Sequence, residues 1–160
     1  MPVYLFTFHA YGSWLPDRSQ GYVKRGHGIL APNKTEARRY QQRMKHPVVG
    51  FARKHQQLMI ETTLEASARI DCALHAVATD PTHIHVLMAW RDGRSWKQVR
   101  ASVRSALSRR LNAALGRRAW FVDSASRQRV KDAKHMAHLR RAYLPSHRGL
   151  KWSPTRGVYQ

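Results

Sequence analysis

Ile70-Asp71-Cys72-Ala73-Leu74-His75-Ala76-Val77-Ala78-Thr79-Asp80-Pro81-Thr82-His83-Ile84-His85-Val86-Leu87-Met88-Ala89-Trp90 is the stretch whose reading decides the fold. Ile70 to Val77 alternates and is rich in apolar residues, Asp80-Pro81 has the composition of a turn, and His83 to Trp90 reads as a second strand. Two strands joined by so short a turn predict an antiparallel hairpin. Residues two apart on a strand share a face, so His83 and His85 project together while Ile84 and Val86 face the other way, into helices.

Downstream, Asp92-Gly93 breaks the chain and Ser95 is a helix cap. Trp96, Val99, Val103, Leu107 and Leu111 then recur at spacings of three and four, one apolar stripe of an amphipathic helix that ends at Gly116. Trp120-Phe121-Val122 is short and strand-like, and residues 128–144 form a basic helix that Pro145 ends or kinks. Upstream, residues 48–68 carry Val48, Phe51, Leu58 and Leu64 among good helix formers, whereas Thr35 to Pro47 has only weak helical character. Residues 3–8 are β-branched and aromatic, a buried strand closed by the loop from Tyr11 to Asp17.

The order β, α, β, β, α, β, α predicts an α+β fold, a split-βαβ, ferredoxin-like sandwich. In it an antiparallel sheet is packed on one face by helices, with an extra C-terminal helix carrying Tyr143. One domain is expected over residues 1–152, with 153–160 a short flexible tail.

The chain has 160 residues, with 29 Lys and Arg against 9 Asp and Glu, a formal charge of +20. On a foldable chain this field attracts phosphates, so nucleic acid is the leading partner class. No run approaches the roughly 18 apolar residues that cross a bilayer, so no membrane partner is expected. The first residues lack the charged segment of a signal peptide, and a single cysteine, Cys72, permits no intrachain disulfide, so the cytoplasm is the expected location.

His83 and His85 offer two imidazole ligands from one rigid strand, the beginning of a divalent-metal site. By chance alone, ten histidines in 160 residues produce about 0.6 such pairs, so polar strand residues facing solvent are the competing reading. Tyr143 is open in the same way: a ring at the core's edge with a wet hydroxyl, or a nucleophile. A phenol of pKa about 10 is about one part in a thousand ionised at pH 7, so the second role needs cations. Arg140, Arg141, Arg148 and a metal are candidates, and His147, four residues after Tyr143, lies over it if the helix continues through Pro145.

These features together resemble the HUH-superfamily single-tyrosine transposases, which include those of small insertion sequences and the REP-associated tyrosine transposases. The likeness rests on the His-hydrophobic-His strand, the later helix with one tyrosine and a polar ligand four residues beyond it, and the element order. Phe6-Thr7-Phe8-His9-Ala10-Tyr11-Gly12-Ser13-Trp14-Leu15-Pro16 is similar to the Thr-Phe-x-x-Tyr-Gly-Thr-Trp-Leu opening of one branch, and Tyr143-Leu144-Pro145 with Gly149 and Trp152 to its C-terminal motif. His147 stands where relatives carry Gln or Asn; Leu144-Pro145 and Arg148-Gly149-Leu150 stand where the REP-associated branch shows Asn-Pro and Ala-Gly-Leu.

The resemblance implies a metal-dependent endonuclease and strand transferase acting on single-stranded DNA at hairpin-associated sites. His83, His85 and His147 would be metal ligands and Tyr143 the nucleophile, forming a 5′-phosphotyrosine link and a free 3′-OH. It also implies magnesium or manganese, whereas two imidazoles alone favour zinc, manganese or nickel. Lys97, Arg100, Arg104, Arg140, Arg141 and Arg148 are the expected phosphate contacts, and Trp14 is a candidate to stack an unpaired base. A homodimer is compatible with this reading. The alternative is a non-catalytic basic nucleic-acid-binding module, a domesticated relative whose histidines are incidental.

Overall fold

The computed structural model describes residues 1–24, 26–123 and 126–160. β1 (Val3–His9) is followed by a short hairpin, β2 (Tyr22–Lys24) and β3 (Gly28–Leu30). α1 (Lys34–Arg43) begins where the Asn33 side chain accepts from the Glu36 N–H, and α2 (Arg53–Arg69) leads into β4 (Ala73–Asp80) and β5 (His83–Ala89). α3 (Trp96–Leu115) starts on a reciprocal cap between Ser95 and Gln98 and stops at Gly116, whose φ of 94° suits glycine. β6 (Ser126–Arg129) precedes α4 (Ala133–His138), which runs on into a π turn, Leu139–Tyr143, and a 3-10 turn, Leu144–Ser146. β7 (Lys151–Ser153) and β8 (Gly157–Tyr159) close the chain.

Six strands form one sheet in the order β6-β1-β5-β4-β7-β8, every neighbour antiparallel. The inner order β6-β1-β5-β4 is what two interleaved β-α-β units produce. Strand alternation sorts side chains onto two faces. Tyr4, Phe6 and Phe8 of β1 and Ile84, Val86 and Met88 of β5 pack under α2 and α3, against Met59, Ile60 and the predicted stripe of Val99, Val103, Leu107 and Leu111. Leu5 and Leu87, with Ala76 and Ala78 of β4, face the other way and meet Leu139 and Leu144. Both faces are therefore covered, not one: the C-terminal helical segment lies across the sheet from α2 and α3.

Three other local expectations are corrected. The helix predicted over 128–144 begins only at Ala133, where Asp132 caps it, because Ser126–Arg129 pairs with β1 as an edge strand. Its Ser-Arg-Gln-Arg sequence is exposed throughout and has no apolar alternation to reveal it. Trp120-Phe121-Val122 makes a single bridge, Phe121 to Ala10, instead of a strand, and buries Trp120 and Phe121 in the core. The tail expected at 153–160 contains β8, which pairs with β7.

Candidate metal and nucleophile site

β5 supplies the floor of the site. The register sets His85 beside Thr7 of β1 and Ala78 of β4, and His83 beside His9 and Asp80. Over this floor the π and 3-10 turns bring Tyr143 and His147. The π turn closes with Leu144 N–H donating to the Leu139 carbonyl, and Leu139 and Leu144, both buried, seat it on the sheet. Pro145 has no N–H to lose at the start of the 3-10 turn, so it is accommodated without breaking the segment. The rings of Tyr143 and His147 remain 5.1 Å apart. An extra residue within a helical turn is a frequent feature of functional sites.

The chain after His147 is clamped to β4. Gly149 N–H and Thr79 N–H donate to the carbonyls of Thr79 and Leu150, at 3.0 Å each, while Gln56 accepts from Leu150 N–H, also at 3.0 Å. A Cβ at Gly149 would run into the Thr79 carbonyl and the Gln56 side chain, so only glycine fits this approach. The Lys151 ammonium, on a buried side chain, donates to the His147 carbonyl at 2.7 Å.

One nitrogen from each of His83, His85 and His147 can be chosen so that all lie within 4.8 Å of one another. The ring centroids of His85 and His147 are 4.5 Å apart, and those of His83 and His85 4.6 Å. His147 Nδ1 lies 3.0 Å and 3.2 Å from the carbonyls of Tyr143 and Leu144; these only accept, so Nδ1 carries the proton and Nε2 keeps its lone pair. His85 Nδ1 lies 2.7 Å from the Thr7 hydroxyl, and its Nε2 is 3.3 Å from the Tyr143 hydroxyl. Anchoring of one ring nitrogen, so that the other is aimed at the ion, is how proteins orient metal-ligating imidazoles.

Electrostatics agree with neutral, ligand-competent imidazoles at His83 and His85. Burial, joined by His83, His147 and His9, holds His85 down at about 2, and burial lowers His83 despite the Asp80 carboxylate. Tyr143 moves in the opposite sense to a nucleophile: burial raises it, and Asp80 adds to the rise. A divalent cation among the imidazoles would offset that rise by favouring the phenolate.

The structure gathers His83, His85, Tyr143 and His147 and divides the expected phosphate contacts. Arg148 borders the site, its backbone N–H donating to Asp80 at 3.2 Å. Arg140 and Arg141 line a groove of about 550 Å³ on the other flank of the π turn, with His75, Arg156 and Tyr159. Lys97 and Arg100 lie on α3, in the layer beneath the sheet, where they and Arg127 surround the Trp96 ring. Arg104 is spent internally, donating to the carbonyls of Phe121 and Val122 and to Asp123. Trp14 is half-exposed, but its ring face meets Arg18 and its N–H meets His9 at 2.7 Å. Sequence reasoning missed Thr7, His9, Asp80 and Lys151. The period-2 pattern of β1 does put Thr7 and His9 on one face, and only the register with β5 says what that face meets.

No protein-family model matches this sequence, and no curated protein matches it. Among solved structures, a REP-associated tyrosine transposase bound to a REP hairpin is similar at 10% identity and a TM-score of 0.49, covering 87% of this chain and 62% of that one. The present chain thus spans less than two thirds of that protein. A putative transposase from Deinococcus radiodurans R1 is similar at 10% identity and a TM-score of 0.52, covering 92% of each chain. Likeness at this identity speaks for architecture alone, and in architecture this chain shares the fold of the Deinococcus radiodurans protein.

Proposed function

We propose that this chain is a metal-dependent single-stranded DNA nicking and strand-transfer enzyme of the single-tyrosine transposase type. The observation that carries the reading is the Tyr143 hydroxyl, 3.3 Å from His85 Nε2 at the edge of the three-imidazole cluster. Three imidazole nitrogen donors fit a divalent first-row metal, with manganese ahead of the harder magnesium. Such a metal, when bound, polarises the scissile phosphate and offsets its charge.

Tyr143 Oη attacks phosphorus in line with the departing 3′-oxygen. The O–P bond forms as the P–O3′ bond breaks, the phenolic proton is released, and the 3′-oxygen takes up a proton to leave a 3′-OH. Reversal by another 3′-OH rejoins strands without an external energy source, because the tyrosine ester retains the phosphodiester's free energy. Burial disfavours the protonated form of His85, so it is a poor acceptor for the phenolic proton and serves instead as a ligand. Arg148 beside the site and Arg140 and Arg141 in the adjoining groove hold the strand; Lys97 and Arg100 are left to more distant DNA.

The test is covalent trapping. Incubation with a library of single-stranded hairpin oligonucleotides and manganese is expected to yield a protein–DNA adduct that chelation or Tyr143→Phe abolishes. Absence of an adduct across the library, or an adduct that survives Tyr143→Phe, overturns the reading.

A further inference from the structure

Trp14, His9 and Arg18 make up a compact arm next to the histidine cluster that neither metal ligation nor attack by Tyr143 uses. The Trp14 indole N–H can only donate, and it lies 2.7 Å from His9 Nδ1. His9 Nδ1 must therefore present a lone pair, which puts the imidazole proton on Nε2. That tautomer cannot ligate a metal through Nε2, and His9 also lies outside the group His83, His85 and His147 whose nitrogens gather within 4.8 Å. Its ring is nonetheless 5.7 Å from the His83 ring, and its Nε2 has no partner among the described residues. The other side of the arm is cationic: the Arg18 guanidinium sits 4.8 Å from the Trp14 ring centroid, and its charge acts on both His9 and His83.

We infer that His9 Nε2–H and the Arg18 guanidinium form an oxyanion subsite that holds a phosphodiester oxygen of the nucleic-acid strand beside the metal cluster, with Trp14 as the spine orienting both. The inference rests on the proposed nucleic-acid chemistry for the ligand's identity and on the hydrogen bond for its geometry. A neutral N–H donor suits this place better than a second cation, because it binds an anionic oxygen without repelling a metal in the next pocket. Trp14 then has a different job from the base stacking expected of it: its edge fixes a tautomer, and one face carries an arginine.

The test uses the full chain and the dinucleotide dTpdT as probe. In histidine-labelled protein at pH 7, nitrogen NMR is expected to show His9 protonated on Nε2 alone, with Trp14→Phe mixing the two tautomers. Titration with dTpdT is expected to shift His9 Nε2–H to saturation. His9→Ala and Arg18→Ala should each weaken dTpdT at least about fivefold while manganese affinity stays within about twofold, and His9→Asn, which keeps an N–H donor, should recover part of the loss. A His9 protonated on Nδ1, or dTpdT affinity unchanged in both alanine variants, overturns the inference. The tautomer measurement needs no variant to fold. If the adduct experiment fails while dTpdT still binds at His9, the enzymatic reading falls and the subsite stands; if adducts form and the alanine variants bind dTpdT normally, only the subsite falls.

Discussion

The two faces of the sheet are made by the same strands and do opposite work. Beneath α2 and α3, Phe6, Phe8, Ile84, Val86 and Met88 are wholly buried against two regular helices. On the other face, β1 runs Val3, Leu5, Thr7, His9 while β5, antiparallel to it, runs Ala89, Leu87, His85, His83. The apolar ends of both rows coincide, and so do the polar ends. Leu139 and Leu144 cover the first, and a π turn carries Tyr143 and His147 over the second. One face is given wholly to hydrophobic burial, while the polar half of the other holds His83 and His85, whose charged form burial disfavours.

Variants on the two faces should separate stability from metal binding. The largest stability effect should come from Leu107→Ala, at about 3 kcal/mol in denaturant unfolding, with manganese affinity of the folded protein unchanged. Next, His85→Ala should weaken manganese by about 100-fold or more in calorimetric titration, since deletion of a ligand exceeds the loss from an outer partner. Thr7→Val, which removes only the hydroxyl at His85 Nδ1, should cost about tenfold in manganese affinity and little stability. A Leu107→Ala variant that binds metal poorly, or a Thr7→Val variant that binds it normally, would break the comparison.

Acid should find the polar face first. His9 is lowered to about 4 and His85 to about 2, so between an unfolded value of 6.5 and those values the unfolded chain binds more protons and stability rises with pH. Metal-free protein should therefore lose melting temperature as pH falls from 6.5 towards 4, each histidine contributing at most about 1.4 kcal/mol per pH unit. His85→Ala should flatten that slope, whereas Leu107→Ala should leave it in place at lower stability. A slope identical in His85→Ala would mean that other groups set the acid sensitivity.

Much of this is legible in the sequence. The β4–β5 hairpin, the shared face of His83 and His85, and the α3 stripe with its Ser95 cap and Gly116 stop all follow from periods of two and 3.6 and from end signals, which are local. Short or wholly polar strands are less legible. β6 carries no apolar residue, and β7 and β8 are three residues each, so partner strands define them more than their own composition does.

The sequence by itself determined the alternation of β1 and β5, and hence which side chains share a face, because side-chain direction along a strand is a property of the backbone. Only the tertiary structure decided that the Thr7–His9 end of one strand meets the His83–His85 end of the other, that Pro145 sits in a turn bringing His147 to that end, and that Lys97 and Arg100 lie across the sheet from it. Register, crossing and layer come from long-range packing, where every strand has more than one partner it could satisfy until the whole core closes.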